Sequence, residues 1–246
     1  MADVKAIPLS DRQQLASLID PQSAADAMAA YYALEHPEDK VRLFGYASSS
    51  GDPRGFLAVA QTGLDLFRPL VVPFVATREI LVRLLRDALR PGQPILLHLP
   101  ADQLHWLDGE VEIHDEHSLE LLRLEPSAYE PILNVLVVET ATPSGRPRYE
   151  INNAHGLRAA AGVNWWGSRY AEIYLAADDR ARGSGLTRSV LSALVGRLLG
   201  QRIIGLYRVE TNRISVKTEA FHLGFRPTGV KTALIEAVLL PEEERT

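Results

Sequence analysis

Cysteine is absent from all 246 residues. Disulfides, thiolate metal ligands and a cysteine nucleophile are thereby excluded. No run of about eighteen apolar residues occurs, so no helical membrane span is expected. The opening stretch MADVKAIPLSDRQQ holds no apolar segment fit for a signal peptide, and a cytoplasmic location is the expectation. Long polar or repetitive tracts of the kind that stay disordered are missing too. An excess of basic charge is also lacking: 26 Lys+Arg stand against 31 Asp+Glu, for a formal net charge of −5. Neither nucleic acid nor an anionic membrane is an expected partner.

What is present is ordinary globular composition, 46% hydrophobic and 23% charged, with 17 Gly and 15 Pro. The length suits one large domain or two small ones. In the first half, Ser10-x-x-Gln13 resembles a capping box ahead of Leu15, Leu18 and Ile19, and Ser23 can cap a second helix through Leu34. Strands are predicted at 41–48, 54–61 and 64–76. Thr77 then caps a helix carrying Ile80, Leu81, Leu84, Leu85 and Ala88, and Pro91-Gly92 ends it. A buried strand at 95–99, a short helix at 101–107 and a strand pair at 110–124 follow. Residues 126–138 begin as a helix and become a strand. The second half gives strands at 148–152, 157–165 and 169–177, a helix from Leu186, a strand at 203–209, a helix at 213–222 and a strand pair at 226–240. Both halves therefore run through the same order of elements, although no residue-level repeat is visible. The predicted fold class is α/β (α+β) in two domains, 1–125 and 126–246.

The segment richest in chemistry is Arg180-Ala-Arg-Gly183-Ser-Gly185, set between the strand Tyr170–Ala176 and the helix LTRSVLSALVGRLL. A helix start offers backbone N–H groups without intrahelical partners and the positive end of the dipole. Gly183 and Gly185 let a ligand approach the backbone, and Arg180 and Arg182 add positive charge. The pattern suits a phosphate-bearing cofactor, although the same residues also fit a plain glycine turn that stops a strand. It is not a Rossmann fingerprint, since Arg188 stands where the third glycine belongs. Nor is it a P-loop, since no lysine follows.

Arg180-x-x-Gly183-x-Gly185 resembles the [RQ]-x-x-G-x-[GA] cofactor loop of the GNAT superfamily of acyl-CoA-dependent N-acetyltransferases. The run GLRAAAGVNWWGSRYAEIYLAADDRARGSGL resembles its central hairpin, and Leu223-Gly-Phe225 its LGF signature. The match covers about residues 148–229; the first half resembles the degenerate amino-terminal domain of tandem GNAT proteins in outline. The resemblance implies two GNAT-like domains, each with a mixed, mostly antiparallel sheet flanked by helices, and a splayed central strand pair in the second. It implies acetyl-CoA as co-substrate, no metal, and an acetyl group moved to a small-molecule or peptide amine by direct attack. The cofactor's pyrophosphate would lie on Arg180, Ala181, Arg182, Gly183, Ser184, Gly185, Leu186 and Thr187. Its pantetheine arm would pair with the backbone of Ile173, Tyr174 and Leu175. Two positions depart from the family. Ala220 stands where a tyrosine usually protonates the leaving thiolate, and the asparagine that touches the pantetheine arm falls on Arg213, one residue from Asn212.

Glu172, near where the thioester would sit, is the candidate proton acceptor, and Tyr174 and Tyr207 are candidates for the missing acid. Each can equally be a packing or solvent-facing strand residue, and Asn212 can simply cap the next helix. Trp165 and Trp166 can line an acceptor pocket or pack. His114-x-x-His117 with Glu112 and Glu116 invites a metal, but on a strand the two imidazoles point to opposite faces. A catalytically silent acyl-CoA-binding or sensing module is the alternative function, and a nucleotide-binding protein using the same loop a third. Monomer and homodimer are both compatible with the sequence.

Overall fold

The structure, a computed structural model, describes residues 3–47, 51–63, 65–142, 145–153, 156–178 and 185–241. Their contacts divide the chain into two compact units: unit 1, up to Leu119 and again from Val230, and unit 2, Glu120–Gly229.

Unit 1 begins with strand β1 (Asp3–Ile7), a 3-10 helix over Leu9–Leu18, helix α1 (Ala27–Ala30) and a π-helical turn over Tyr31–Glu35. Strands β2 (Val41–Ala47), β3 (Pro53–Ala60) and β4 (Leu70–Val75) follow, then helix α2 (Arg78–Ala88) and β5 (Pro94–Pro100). A 3-10 helix over Ala101–Leu107 leads to β6 (Val111–Leu124), whose last residues belong to unit 2. The first four strands pair antiparallel in sequence order, and β4 runs parallel to β5. Helix α2 forms as the periodicity predicts. Thr77 accepts a hydrogen bond from the Ile80 N–H, and Leu81, Leu84, Leu85 and Ala88 bury one stripe. That stripe meets Leu57, Val71, Ile95, Leu97 and Leu99 in a single apolar cluster.

Unit 2 has strands β7 (Val138–Ala141), β8 (Pro147–Asn153), β9 (Gly156–Trp166) and β10 (Tyr170–Ala177), then helix α3 (Leu186–Gly200), β11 (Ile204–Glu210), helix α4 (Ile214–His222) and β12 (Phe225–Leu239). Strands β7 to β10 pair antiparallel in order, and β10 runs parallel to β11. Helix α3 covers one face through Val190, Leu191, Leu194, Val195 and Leu198, against Ala171 and Ile173 of β10 and Tyr207 and Val209 of β11. The LGF glycine has a steric reason. Gly224 adopts φ 92°, and a Cβ there would lie 2.8 Å from the Ala128 carbonyl oxygen.

The structure corrects several local expectations. Ser10 caps nothing: Pro8 precedes the 3-10 helix, and the Ser10 hydroxyl bonds to Asp11. The segment after Ser23 is only four α-helical residues before it widens into the π turn. Residues 126–137 make one 3-10 turn, Pro126–Ala128, and no longer helix. Instead they run beside α3: Tyr129 Oη donates to the Ser192 carbonyl at 2.9 Å, and the Ile132 N–H to Ser192 Oγ at 2.8 Å. The two expected strand pairs at 110–124 and 226–240 are single long strands. No glycine or proline interrupts β6, so nothing turns it back, and Gly229 at φ 81° bends β12 without reversing it. The second part of β12 pairs with β5 from Thr232–Pro100 to Val238–Pro94. This is why residues beyond Val230 group with unit 1, whereas the sequence placed the boundary at 125/126 and everything after it in one domain.

Candidate active site

Strands β10 and β11 stay in parallel register from Tyr170–Ile204 to Ile173–Tyr207, and the register ends there. Strand β10 continues to Ala177 and β11 to Glu210, so the two part as a V. The side of β10 facing β9 remains paired throughout, down to Ala177–Ala159. Past Ile173, the backbone of Tyr174 and Leu175 therefore turns its other edge to the opening. This is the splay expected in the second domain.

Beyond β10 comes the predicted anion loop. Arg180, Ala181, Arg182, Gly183 and Ser184 lie outside the described residues. Gly185 precedes α3 with φ 79°, a left-handed conformation that glycine adopts without strain. It brings no side chain to cap the helix. Leu186 packs against the unit 2 core. The Thr187 hydroxyl is directed away from the helix start, donating to Glu219 Oε2 of α4 at 2.6 Å. Any part it plays in anion binding falls to its backbone N–H.

The parallel strands divide the candidate residues between two faces, because successive side chains alternate. Ile173 and Tyr207 lie on the α3 face, both buried in its core. Tyr207 meets the Phe225 ring edge-on with centroids 6.2 Å apart. Burial pushes its phenol well above the usual tyrosine range; Glu219 adds to the shift and Arg213 opposes it. Ala220, where the family tyrosine is missing, belongs to the same buried cluster as Tyr207.

Glu172 and Tyr174 lie on the opposite face. Glu172 is buried and fully engaged. Its Oε1 accepts from Asn164 Nδ2 at 3.0 Å, and its Oε2 accepts from Trp165 Nε1 at 2.9 Å and from the Arg208 guanidinium. Asn164 is the extra residue of a β-bulge, since Trp165 faces Glu172 while Val163 faces Ile173. The Asn164 carbonyl in turn accepts from Arg146. A carboxylate tied to a buried guanidinium, an indole N–H and a carboxamide is an anchor, so the expectation that Glu172 takes a proton from the amine does not fit its surroundings. Tyr174 lies across Gly162, where a Cβ would fall 2.5 Å from the tyrosine Oη, and that hydroxyl is 3.4 Å from Arg148 Nη1. Arg148 also pairs with Glu150.

Asn212 is exposed in the turn between β11 and α4, and its side chain does not cap α4; Arg213, which precedes the helix, pairs with Glu210 at 3.1 Å. Trp165 is a partner of Glu172, and Trp166 packs on the unit 2 core. His114 and His117 each approach an acidic neighbour, and no metal-binding group of three occurs among the described residues. No helix among them is long and apolar enough to cross a membrane. Sequence reasoning missed Asn164, Arg208 and Arg148; Asn164, the one polar residue between Val163 and Trp165, was the only local hint of the bulge.

Unit 1 repeats the arrangement in reduced form. Its parallel pair holds only Leu70–Leu96 and Val71–Leu97 before parting. There the start of α2 is capped by Thr77, and Gln103 Nε2 donates to the Val75 carbonyl at 3.4 Å.

No family model and no curated protein matches this sequence. Solved structures do. A tandem GNAT protein from the clavulanic acid biosynthesis pathway superposes with TM-score 0.60 at 13% identity, over 97% of this chain and 98% of that one. A GCN5-related N-acetyltransferase from Sphaerobacter thermophilus gives 0.64 at 10% identity, over 98% and 96%. A GNAT-family acetyltransferase from Colwellia psychrerythraea gives 0.58 at 14%, over 95% and 99%. With the parted strands of unit 2 and their abbreviated repeat in unit 1, these likenesses identify the fold as that of the GCN5-related N-acetyltransferases, in its tandem form.

Proposed function

We infer that this chain is an acetyl-CoA-dependent N-acetyltransferase that moves the acetyl group to an amine by direct attack, with no covalent enzyme intermediate. The observation that carries the reading is the parting of β10 and β11 past Ile173–Tyr207, with α3 beginning a few residues beyond β10. An extended amide-bearing arm needs such an unpaired strand edge, and a pyrophosphate needs a helix start. Acetyl-CoA supplies an activated thioester; the protein's part is to orient it and to manage protons. The backbone of Ile173, Tyr174 and Leu175 holds the arm, and the 180–187 loop holds the phosphates.

Tyr207 is the candidate we retain for giving a proton to the leaving thiolate. It stands in the buried cluster that includes Ala220, where the family tyrosine is missing. Glu172 serves as a positioning residue. Arg208 is the first β11 residue beyond the last paired position, and its ion pair with Glu172 ties the two strands together where they part. Tyr174, beside Arg148 and Glu150, belongs to the face from which the amine would approach. The silent acyl-CoA-binding module is the second reading, raised by Ala220 in place of the family tyrosine.

The test is thiol release from acetyl-CoA with a broad panel of amines, comparing wild type with Tyr207→Phe. The inference predicts turnover on at least one amine and a roughly 10²–10⁴-fold lower kcat in the variant, the usual contribution of a positioned proton donor. Cofactor binding without turnover on any amine would favour the silent module.

A further inference from the structure

We propose that unit 1 carries a second ligand site, a basic cleft for an anionic small molecule with an aromatic body. Two cavities of about 670 and 510 Å³ adjoin at Arg42 and Gln93, which line both. Either volume falls in the range of small-molecule sites. One lobe reaches Arg90 and Phe44; the other reaches Lys40, Gln61 and Phe67.

The charge balance identifies the ligand class. Among the described residues, Lys40, Arg42 and Arg90 have no carboxylate within ion-pairing distance. Of the three acidic residues in the lining, Asp87 is paired with Arg83 at 3.0 Å and Asp65 with Arg68 at 2.7 Å. Arg68 is shared with Glu236, so the lining and these partners hold five cations (Lys40, Arg42, Arg68, Arg83 and Arg90) against four carboxylates (Asp39, Asp65, Asp87 and Glu236), about one net positive charge in a chain whose formal net charge is −5. The carboxy-terminal end of α2 adds roughly half a negative charge to the first lobe, which leaves the balance positive. Arg42 already lies over the Phe44 ring, 5.6 Å from its centroid, and is thereby held at the junction of the lobes. Phe67, 88% exposed on the lip, offers a flat apolar surface with nothing packed on it. Guanidinium groups beside an exposed ring and two carboxamides suit a phosphate or carboxylate attached to an aromatic body. The cleft uses none of the residues assigned to acetyl-CoA, so its standing is independent of the acyl-transfer reading.

The test is a titration of the full chain with phenyl phosphate, followed by amide chemical shifts, with inorganic pyrophosphate as the ring-free control. Both should move Gln61, Gly92 and Gln93 and leave Leu186 and Thr187 unmoved, and saturating acetyl-CoA should not compete. Arg42→Gln and Lys40→Gln should each weaken both ligands about tenfold or more. Phe67→Ala should weaken phenyl phosphate alone. All three positions are exposed, and an unchanged melting temperature will certify the fold. No shifts at millimolar ligand, shifts confined to the start of α3, or equal binding by the variants would overturn the proposal.

Discussion

At the scale of single residues, the most consequential contact joins Glu172 to Arg208. Neither its existence nor its partners were legible in the sequence, because the pair is 36 residues apart and depends on the register of two parallel strands. The sequence marked Glu172 as a candidate proton acceptor, whereas the bulge that aims Asn164 and Trp165 at it was not visible. Glu172→Gln should cost roughly 3–5 kcal/mol in denaturant unfolding, since it leaves a buried guanidinium without its counter-ion. The double variant Glu172→Leu/Arg208→Met should lose less than the sum of the single losses; additive losses would contradict the pairing. A second residue-scale prediction concerns Gly162. Adding a methyl there drives it into the Tyr174 ring, 2.6 Å from Cζ, so Gly162→Ala should cost about 1–3 kcal/mol. In Tyr174→Ala the same change should cost little, and a double-mutant cycle measures the difference.

At the scale of elements, the helices with a clear apolar stripe and a cap were legible, and those without were not. Thr77 and the spacing of Leu81, Leu84, Leu85 and Ala88 announced α2, whereas residues 126–137 were ambiguous because their hydrogen bonds go to α3. Ser192→Ala tests that docking: it removes the acceptor of the Ile132 N–H, and should cost about 1–3 kcal/mol by thermal unfolding. The seam between β11 and α4 makes a prediction in pH. Burial raises the Tyr207 pKa above its unfolded value, so above about pH 10 the unfolded chain releases a proton that the native chain keeps. Stability should therefore fall as pH rises through that range, and Tyr207→Phe should flatten the fall. An identical alkaline slope in the variant would show that the phenol is not buried as described.

At the scale of the whole molecule, the sequence disclosed a repeated order of elements, and each unit shows it: antiparallel strands, a parallel pair that parts, and a helix between. What it could not disclose was that β12 ends beside β5, since pairing between residues so far apart leaves no local pattern. The two units differ where chemistry would occur. Unit 1 caps its helix with Thr77 and covers the Val75 carbonyl with Gln103, whereas in unit 2 Gly185, which precedes α3, brings no side chain to its start. Under the proposed function, one acetyl-CoA site per chain is expected, in unit 2. Calorimetric titration with acetyl-CoA tests this most directly. The account predicts binding with a stoichiometry of one, weakened by roughly 1.5–3 kcal/mol in Arg180→Gln, which removes a charge-assisted phosphate bond, and abolished or nearly so in Gly185→Val, which strains the backbone at the start of α3. Absence of binding at millimolar acetyl-CoA, or binding that both variants retain in full, would contradict it.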